Sequence, residues 1–420
     1  MTSVGRLATL FAELRNDAFR KLWLAQVVSE IGDWAARLAL TTLIYERTGS
    51  AAWAALMAVS TLLPMLGPGQ LLASLADRMD RRVILVAADG VRAVLFVVLA
   101  VATLSTPALL CLSIAAGLAT VPFEAARSAA TLDVTPAERV PSAMALGQAT
   151  QSLALVVGWA SGGLLLALLG PSGALAVKAA SFVVSASFLV RLPSLRHHVA
   201  DGESEPVRSS PVGRLKAAAA AIIADSLVRR AAAVAVFAVG PATAVETLVV
   251  PFVGREWPAT PSLSAAILTA GAAADLLLTI AIAGNRPPES LLRIAAWCAA
   301  APAALAAVLF STGIASLGAI GFVVSAMSLT AIAPASAALA PRLPANLRAS
   351  SFTVLATALT LMQVILSTGG GAVADRAGDP AAARWLLLLP LVVGIAALLR
   401  PVRRPVLVAE PMPVPVPEAA

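Results

Sequence analysis

Glu30, Asp33 and Arg37 stand at i, i+3 and i+7 in a stretch that is otherwise largely apolar. On a helix that spacing puts all three on one face. Two carboxylates beside a guanidinium can take up and release a proton, because burial, a second carboxylate and a nearby cation pull a carboxyl's proton affinity in opposite directions. A face with three charges cannot look at lipid, so it looks into a cavity or a polar interface. Asp33, with Glu30, is the expected proton carrier and Arg37 the group that tunes it. The alternative is an Asp33–Arg37 pair that only fixes packing. Glu246 and Asp275 are further ionisable residues inside apolar stretches, and Gln148, Gln151 and Gln363 add neutral hydrogen-bonding groups. Lys178 is expected near the outer end of its span, where a long stem can carry the ammonium to water.

The elements that hold these residues are membrane spans. Of 420 residues 59% are hydrophobic and only 13% charged, whereas a soluble globule carries about 25% charged residues. Such a chain cannot cover a water-facing surface. One tyrosine and no sustained alternation argue against an outer-membrane barrel. Apolar stretches of about 20 residues fall at 21–45, 51–76, 83–105, 107–126, 141–168, 172–191, 231–254, 262–283, 291–310, 313–335, 349–374 and 382–400, the last shortened by Arg384. Twelve helices result. The first is too long for the apolar core of a signal peptide and reads as a retained span.

Arginine and lysine set the orientation. With the N-terminus inside, 23 of them fall in cytoplasmic segments, and only Arg47, Arg255, Arg376 and Arg384 fall on the other side. Both termini are therefore expected in the cytoplasm, with the protein multi-pass in the inner (plasma) membrane. The net charge of +7 belongs to this pattern, which excludes a nucleic-acid partner. Cys111 and Cys298 lie inside spans, so neither a disulfide nor a zinc site is indicated.

The longest polar segment divides the chain. Residues 1–192 read as one six-helix bundle, 193–230 as a cytoplasmic linker ending in a surface helix, 231–401 as a second bundle and 402–420 as a disordered proline-rich tail. His197 and His198 sit in the linker and read as solvated rather than metal-binding. A shift of 208 residues lays Gly32 on Gly240, Arg47 on Arg255, Arg78 on Arg286, Pro136 on Pro344, Gly162-Gly163 on Gly370-Gly371 and Gly170 on Gly378. Six spans are followed by six more in the same orientation. Under this repeat the first and seventh spans face each other, and Arg37 is expected to approach Glu246.

Several motifs give the repeat a family. Ala73-Ser-Leu-Ala-Asp77-Arg78-Met-Asp80-Arg81-Arg82 resembles Gly-x-x-x-Asp-Arg-x-Gly-Arg-Arg, the loop signature of the major facilitator superfamily, with Ala73 and Asp80 in place of its glycines. In the fifth span Ala154-x-x-x-Gly158-Trp159-x-x-Gly162-Gly163 resembles the superfamily's antiporter signature, with Trp159 in place of a proline that would kink the helix. Glu30-Ile-Gly-Asp33-Trp34, Tyr45 to Ser50 and Phe123-Glu-Ala-Ala-Arg127 are similar to the branch that holds bacterial macrolide-efflux and siderophore-export permeases.

The resemblance implies an all-α membrane fold of two parallel-related six-helix bundles, with a substrate site between them near the bilayer midplane and transport by rocking of one bundle against the other. It also implies a cytoplasmic latch at Asp77, Arg78, Asp80, Arg81 and Arg82, with Asp89, Arg92 and Arg127 in support. Gly158, Gly162 and Gly163 have a physical reading of their own, as a face of small residues for close helix packing.

Nucleotide-cradling and hydrolase motifs are missing from the sequence, so no enzyme activity, cofactor or metal is expected. The function expected is secondary-active transport by a monomer: proton-coupled efflux of an amphipathic organic compound such as a drug or siderophore. An uptake permease for a small solute and a non-transporting receptor or scaffold are the alternatives.

Overall fold

The computed structural model describes residues 13–66, 79–195, 211–257, 261–282, 286–344 and 347–399. Asp77, Arg78, His197, His198, Asn285 and the proline-rich tail lie outside the described residues.

The first bundle contains α1 (Asp17–Thr48), α2 (Ala51–Leu66), α3 (Arg81–Val101) and α4 (Thr106–Val134). Its last two members are the arms of one continuous run, Val140–Leu189, broken where Gly170 adopts φ 68° and Pro171 follows. The arms before and after this break are α5 and α6. Pro211–Ala224 forms a short helix, α7, ahead of the second bundle. That bundle holds α8 (Ser226–Glu256), α9 (Pro261–Ile282), α10 (Pro288–Ser311), α11 (Ala315–Arg342), α12 (Arg348–Ala377) and α13 (Arg384–Leu399). The described helices fall in the twelve expected stretches, the second being described only as far as Leu66, and the chain is a multi-pass membrane protein.

Local chemistry explains the boundaries. Asn16 caps α1, its side-chain oxygen accepting from Ala18 N and Phe19 N, and Gly49 ends the helix at φ 62°. Asp80 caps α3 and Asp225 caps α8 by the same device. The apolar faces are turned outward. On α3, Val91, Val94, Val97 and Val101 are exposed while Asp89, Arg92 and Phe96 are buried, as a helix facing lipid requires.

The repeat reappears as geometry. Gly170 and Gly378, one repeat apart, both take positive φ, 68° and 63°, and both end their helices. A Cβ on Gly163 would lie 2.2 Å from Ala265 Cβ of α9, and one on Gly371 would lie 2.6 Å from Ala52 Cα of α2. Thus α5 meets α9 and α12 meets α2 through equivalent glycines, and these two contacts join the bundles.

The ends of the bundles on the side where α1 begins (the near side) are stapled internally. In the first bundle Arg81 is ion-paired with Asp133 at the end of α4, and Asp80 accepts from Ser194 Oγ at 2.5 Å. In the second, Arg342 at the end of α11 is paired with Glu289 at 2.9 Å and with Asp225 at 3.6 Å. The 208-residue shift lays Glu289 on Arg81, and Arg342 is one residue past the position it lays on Asp133, so the two bundles carry similar staples with the charges reversed.

Candidate functional site

A large cavity lies between the bundles. It has a volume of about 580 Å³, and Trp34, Arg37, Leu62, Gln148 and Leu155 of the first bundle face Glu246, Asp275, Thr330 and Gln363 of the second. Arg37 places its guanidinium 5.2 Å from the centre of the Trp34 ring. Asp275 accepts from Thr330 Oγ1 at 2.5 Å. Arg37 and Glu246 approach each other as expected, lining the same cavities within electrostatic reach, though no ion pair within 4.0 Å joins them among the described residues.

The three charges of α1 stand on one continuous helix, and Asp33 and Arg37 line one cavity. Each turns to a different partner. Asp33 pairs with Lys178 of α6, Nζ to Oδ1 at 2.8 Å, and not with Arg37. Lys178 of α6 reaches Asp33 one turn before Arg37, whose guanidinium lies over the Trp34 ring instead. Glu30 accepts from Gln26 Nε2 at 2.8 Å, while its other carboxylate oxygen is buried without a hydrogen-bond partner among the described residues. Arg127 and Gln151 lie beside it. Arg127 itself bonds Glu124, at 2.6 Å and 3.1 Å, and with Gln26 and Gln151 lines a cavity of about 220 Å³ between α1, α4 and α5. It therefore stands in this cavity, on α4, rather than with the loop residues it was grouped with.

Lys178 overturns its expectation more sharply. Its side chain has no exposure, so it does not reach for the membrane surface. The ammonium donates to Ser29 O at 2.8 Å and lies 3.7 Å from the centre of the Phe182 ring. Gly32 makes room for it: a Cβ there would sit 2.9 Å from Lys178 Cδ. Arg92 stacks on the same ring at 4.4 Å and on Phe123 at 4.0 Å, and it bonds Asp89. Asp89 and Arg92 are fully buried deep in α3, about 12–17 Å along the helix from Arg81 at 1.5 Å per residue. They belong to this buried cluster and not to the loop latch. Asp33 and Arg92 also face a cavity of about 190 Å³, which adjoins the central one at Trp34, Arg37 and Leu62.

Gly158 and Gly162 seat α5 on α1. A Cβ on Gly158 would approach Trp34 Cβ to 2.6 Å, and one on Gly162 would approach Ala35 Cα to 2.8 Å. Trp159 stacks on Trp34 with ring centres 5.2 Å apart, and α5 runs through it without a break. No proline kink is reproduced there; the break comes at Gly170 instead.

One contact between the bundles escaped the sequence. On the side opposite the near side, Asp375 of α12 accepts from Ser50 Oγ at 2.6 Å, Ala51 N at 2.7 Å and Ala52 N at 3.2 Å. A carboxylate of one bundle thus caps the first turn of a helix in the other. Gly254 of α8 and Tyr45 of α1 meet on the same side, where a glycine Cβ would lie 2.5 Å from Tyr45 Cε1. The signal available was Ser50 ahead of Ala51-Ala-Trp, a helix start whose free amides need an acceptor.

A bundle pair with a buried polar cavity, joined through equivalent glycines, is a transporter architecture. The family model described as the Major Facilitator Superfamily matches residues 22–367. The chain belongs to the Major Facilitator Superfamily. It is accordingly a secondary-active membrane transporter and not an enzyme. No curated protein matches the sequence. Among solved structures, a bacterial homolog of the human lysosomal transporter Spinster, in an inward-facing and unoccupied conformation, aligns with TM-score 0.64 at 16% identity over 91% of this chain and 95% of its own. The nucleoside transporter NupG aligns with TM-score 0.66 at 14% identity over 90% and 98%. A D-xylose-proton symporter aligns with TM-score 0.65 at 15% identity over 90% and 96%. At these identities the likeness is one of superfamily fold.

Proposed function

We propose that this superfamily member is a proton-coupled exporter of an amphipathic organic compound, working by alternating access in the inner membrane with both termini in the cytoplasm. The observation that carries the reading is the half-exposed Asp33 carboxylate, held against a fully buried lysine at the edge of the central cavity. A carboxylate so placed can be reached by water from the cavity while its counter-ion stays fixed. Protonation of Asp33 removes the attraction to Lys178 and loosens α1 from α6, which links proton uptake to helix packing.

The sequence pattern puts the arginine-rich near side in the cytoplasm. The contacts at Asp375, Gly163, Gly371 and Gly254 then close the outer side, and the conformation is inward-facing. The substrate enters the mixed apolar and polar central cavity from the cytoplasm, as export requires. An adjoining vestibule at Gln26, Arg127 and Gln151 supplies further polar contacts along the way.

The test is a resistance and accumulation screen in a host stripped of its own efflux pumps, followed by flux in vesicles under an imposed pH gradient. The wild-type chain is expected to lower accumulation of its substrate, and Asp33→Asn to abolish gradient-driven flux. Undiminished coupled flux in Asp33→Asn would remove the proton role. Gradient-driven accumulation in place of resistance would establish uptake, and absence of flux for every compound would leave a receptor or scaffold.

A further inference from the structure

The ionisable groups of the central cavity are sorted by sign. Arg37 stands on the first bundle above the Trp34 ring. Glu246 and Asp275 stand on α8 and α9 of the second. Asp275 is held in place by Thr330 Oγ1 at 2.5 Å. The guanidinium of Arg37 and the carboxylate of Glu246 line the same cavity of about 580 Å³ and stand within electrostatic reach of each other, yet neither has a hydrogen bond or an ion pair within 4.0 Å among the described residues. Two other pairs of charges at this depth are in direct contact, Asp33 with Lys178 and Asp89 with Arg92. Unpaired charges at that depth are costly. Held apart on opposite walls of one cavity, with no contact between them, the two signs are complementary to a ligand that carries both.

We infer that the substrate is an amphipathic zwitterion, its anionic group seated at Arg37, its cationic group between Glu246 and Asp275, and its apolar body against Trp34, Leu155 and Leu329. The inference rests on the central cavity being the transport site and adds the charge pattern of what it carries. A simple cation meets the carboxylates but leaves the five donors of Arg37 unsatisfied and repelled; a simple anion meets Arg37 and is repelled by two carboxylates. Only a ligand of both signs satisfies both walls without the bundles closing on each other. The cavity volume lies within the range of small-molecule sites, about 300–1,000 Å³. The aromatic face of Trp34 sits where a flat apolar body would lie beside the guanidinium.

The test holds the ligand's body constant and varies its charge. Thermal stabilisation of the purified full-length protein in detergent is titrated with tryptophan, tryptamine and indole-3-propionate, which share one ring and carry both charges, the positive one alone and the negative one alone. Phenylalanine, phenethylamine and 3-phenylpropionate repeat the comparison on a second ring. In each set the zwitterion is expected to half-saturate at a concentration at least about tenfold below either partner, the factor of one further charge-assisted contact. Arg37→Gln should bring the zwitterion to the level of the amine, and Glu246→Gln to the level of the acid.

The wild-type comparison alone decides the matter should a variant fail to fold. An amine that binds as tightly as its zwitterion in both sets would overturn the inference in favour of a cation site. Binding of none of the six would overturn it as well. Neither result bears on gradient-driven efflux of other compounds, which the vesicle measurement judges separately.

Discussion

Lys178 has no exposed surface, so its charge is balanced entirely by protein: the Asp33 carboxylate, the Ser29 carbonyl and the Phe182 ring. Phe182 serves two cations at once, since Arg92 lies over the same ring. Asp33 and Asp89 supply the matching negative charges, and the four ionised groups sum to zero. The exposure is uneven, with Asp33 half-exposed and the other three buried. Removing the exposed member therefore strands a buried one. Asp33→Asn is expected to destabilise the protein by about 1–3 kcal/mol, the cost of leaving a buried donor short of a partner. The lower end applies here, because Ser29 O and the ring remain. Asp33→Asn with Lys178→Met should recover most of that loss, as replacing both members of a buried pair with neutral groups usually does. Thermal unfolding of the single and double variants in detergent checks this. A double variant no more stable than Asp33→Asn alone would mean that the pair is not what the lysine depends on.

At the scale of elements, the decisive contact is the end of α12 against the start of α2. The first amides of a helix lack intrahelical partners, and Asp375 fills that need at Ala51 and Ala52 from the other bundle. An ionised cap also opposes the positive end of the helix dipole. Asp375→Ala is expected to cost the closed far side about 1 kcal/mol, which changes a two-state population about fivefold. Labelling of Tyr45→Cys by a membrane-impermeant maleimide applied to the far side should rise accordingly. Unchanged labelling would show that the glycine contacts hold this side without the cap. The spans themselves could be read from the sequence because lipid imposes length and composition on each helix separately, and the break at Gly170 was visible as Gly-Pro between two apolar stretches. The partners of the charges could not be read that way. Periodicity gives the face of α1 on which Asp33 lies, but not that α6 would bury a lysine against it. Residue identity relates Gly170 to Gly378 across the repeat but is blind to Arg81 and Glu289, which hold similar staples with opposite signs.

For the whole molecule, the closest contacts between the bundles among the described residues cluster toward the far side. Gly163 on Ala265 and Gly371 on Ala52 allow backbones to approach closely, and the Asp375 cap and the Tyr45–Gly254 contact lie nearer the surface. Each bundle is meanwhile braced within itself at the near side, by Arg81–Asp133 in one and Arg342–Glu289 in the other. Rigid bundles joined at one end can rock about that end, but full alternation requires the far-side contacts to part while near-side contacts form. Fixing the far side should therefore stop transport without destroying the central cavity. Ser50 Oγ and Asp375 Oδ2 are 2.6 Å apart, so Ser50→Cys with Asp375→Cys places two thiols within reach of each other. Oxidation is expected to abolish flux in vesicles, ligand binding from the near side should persist, and a reductant should restore flux. The endogenous Cys111 and Cys298, exposed and buried respectively, are replaced by serine and alanine in the background chain so that only the engineered pair reports. Flux that continues at full rate with the crosslink formed would show that the far side need not open, and alternating access through this cavity would have to be abandoned.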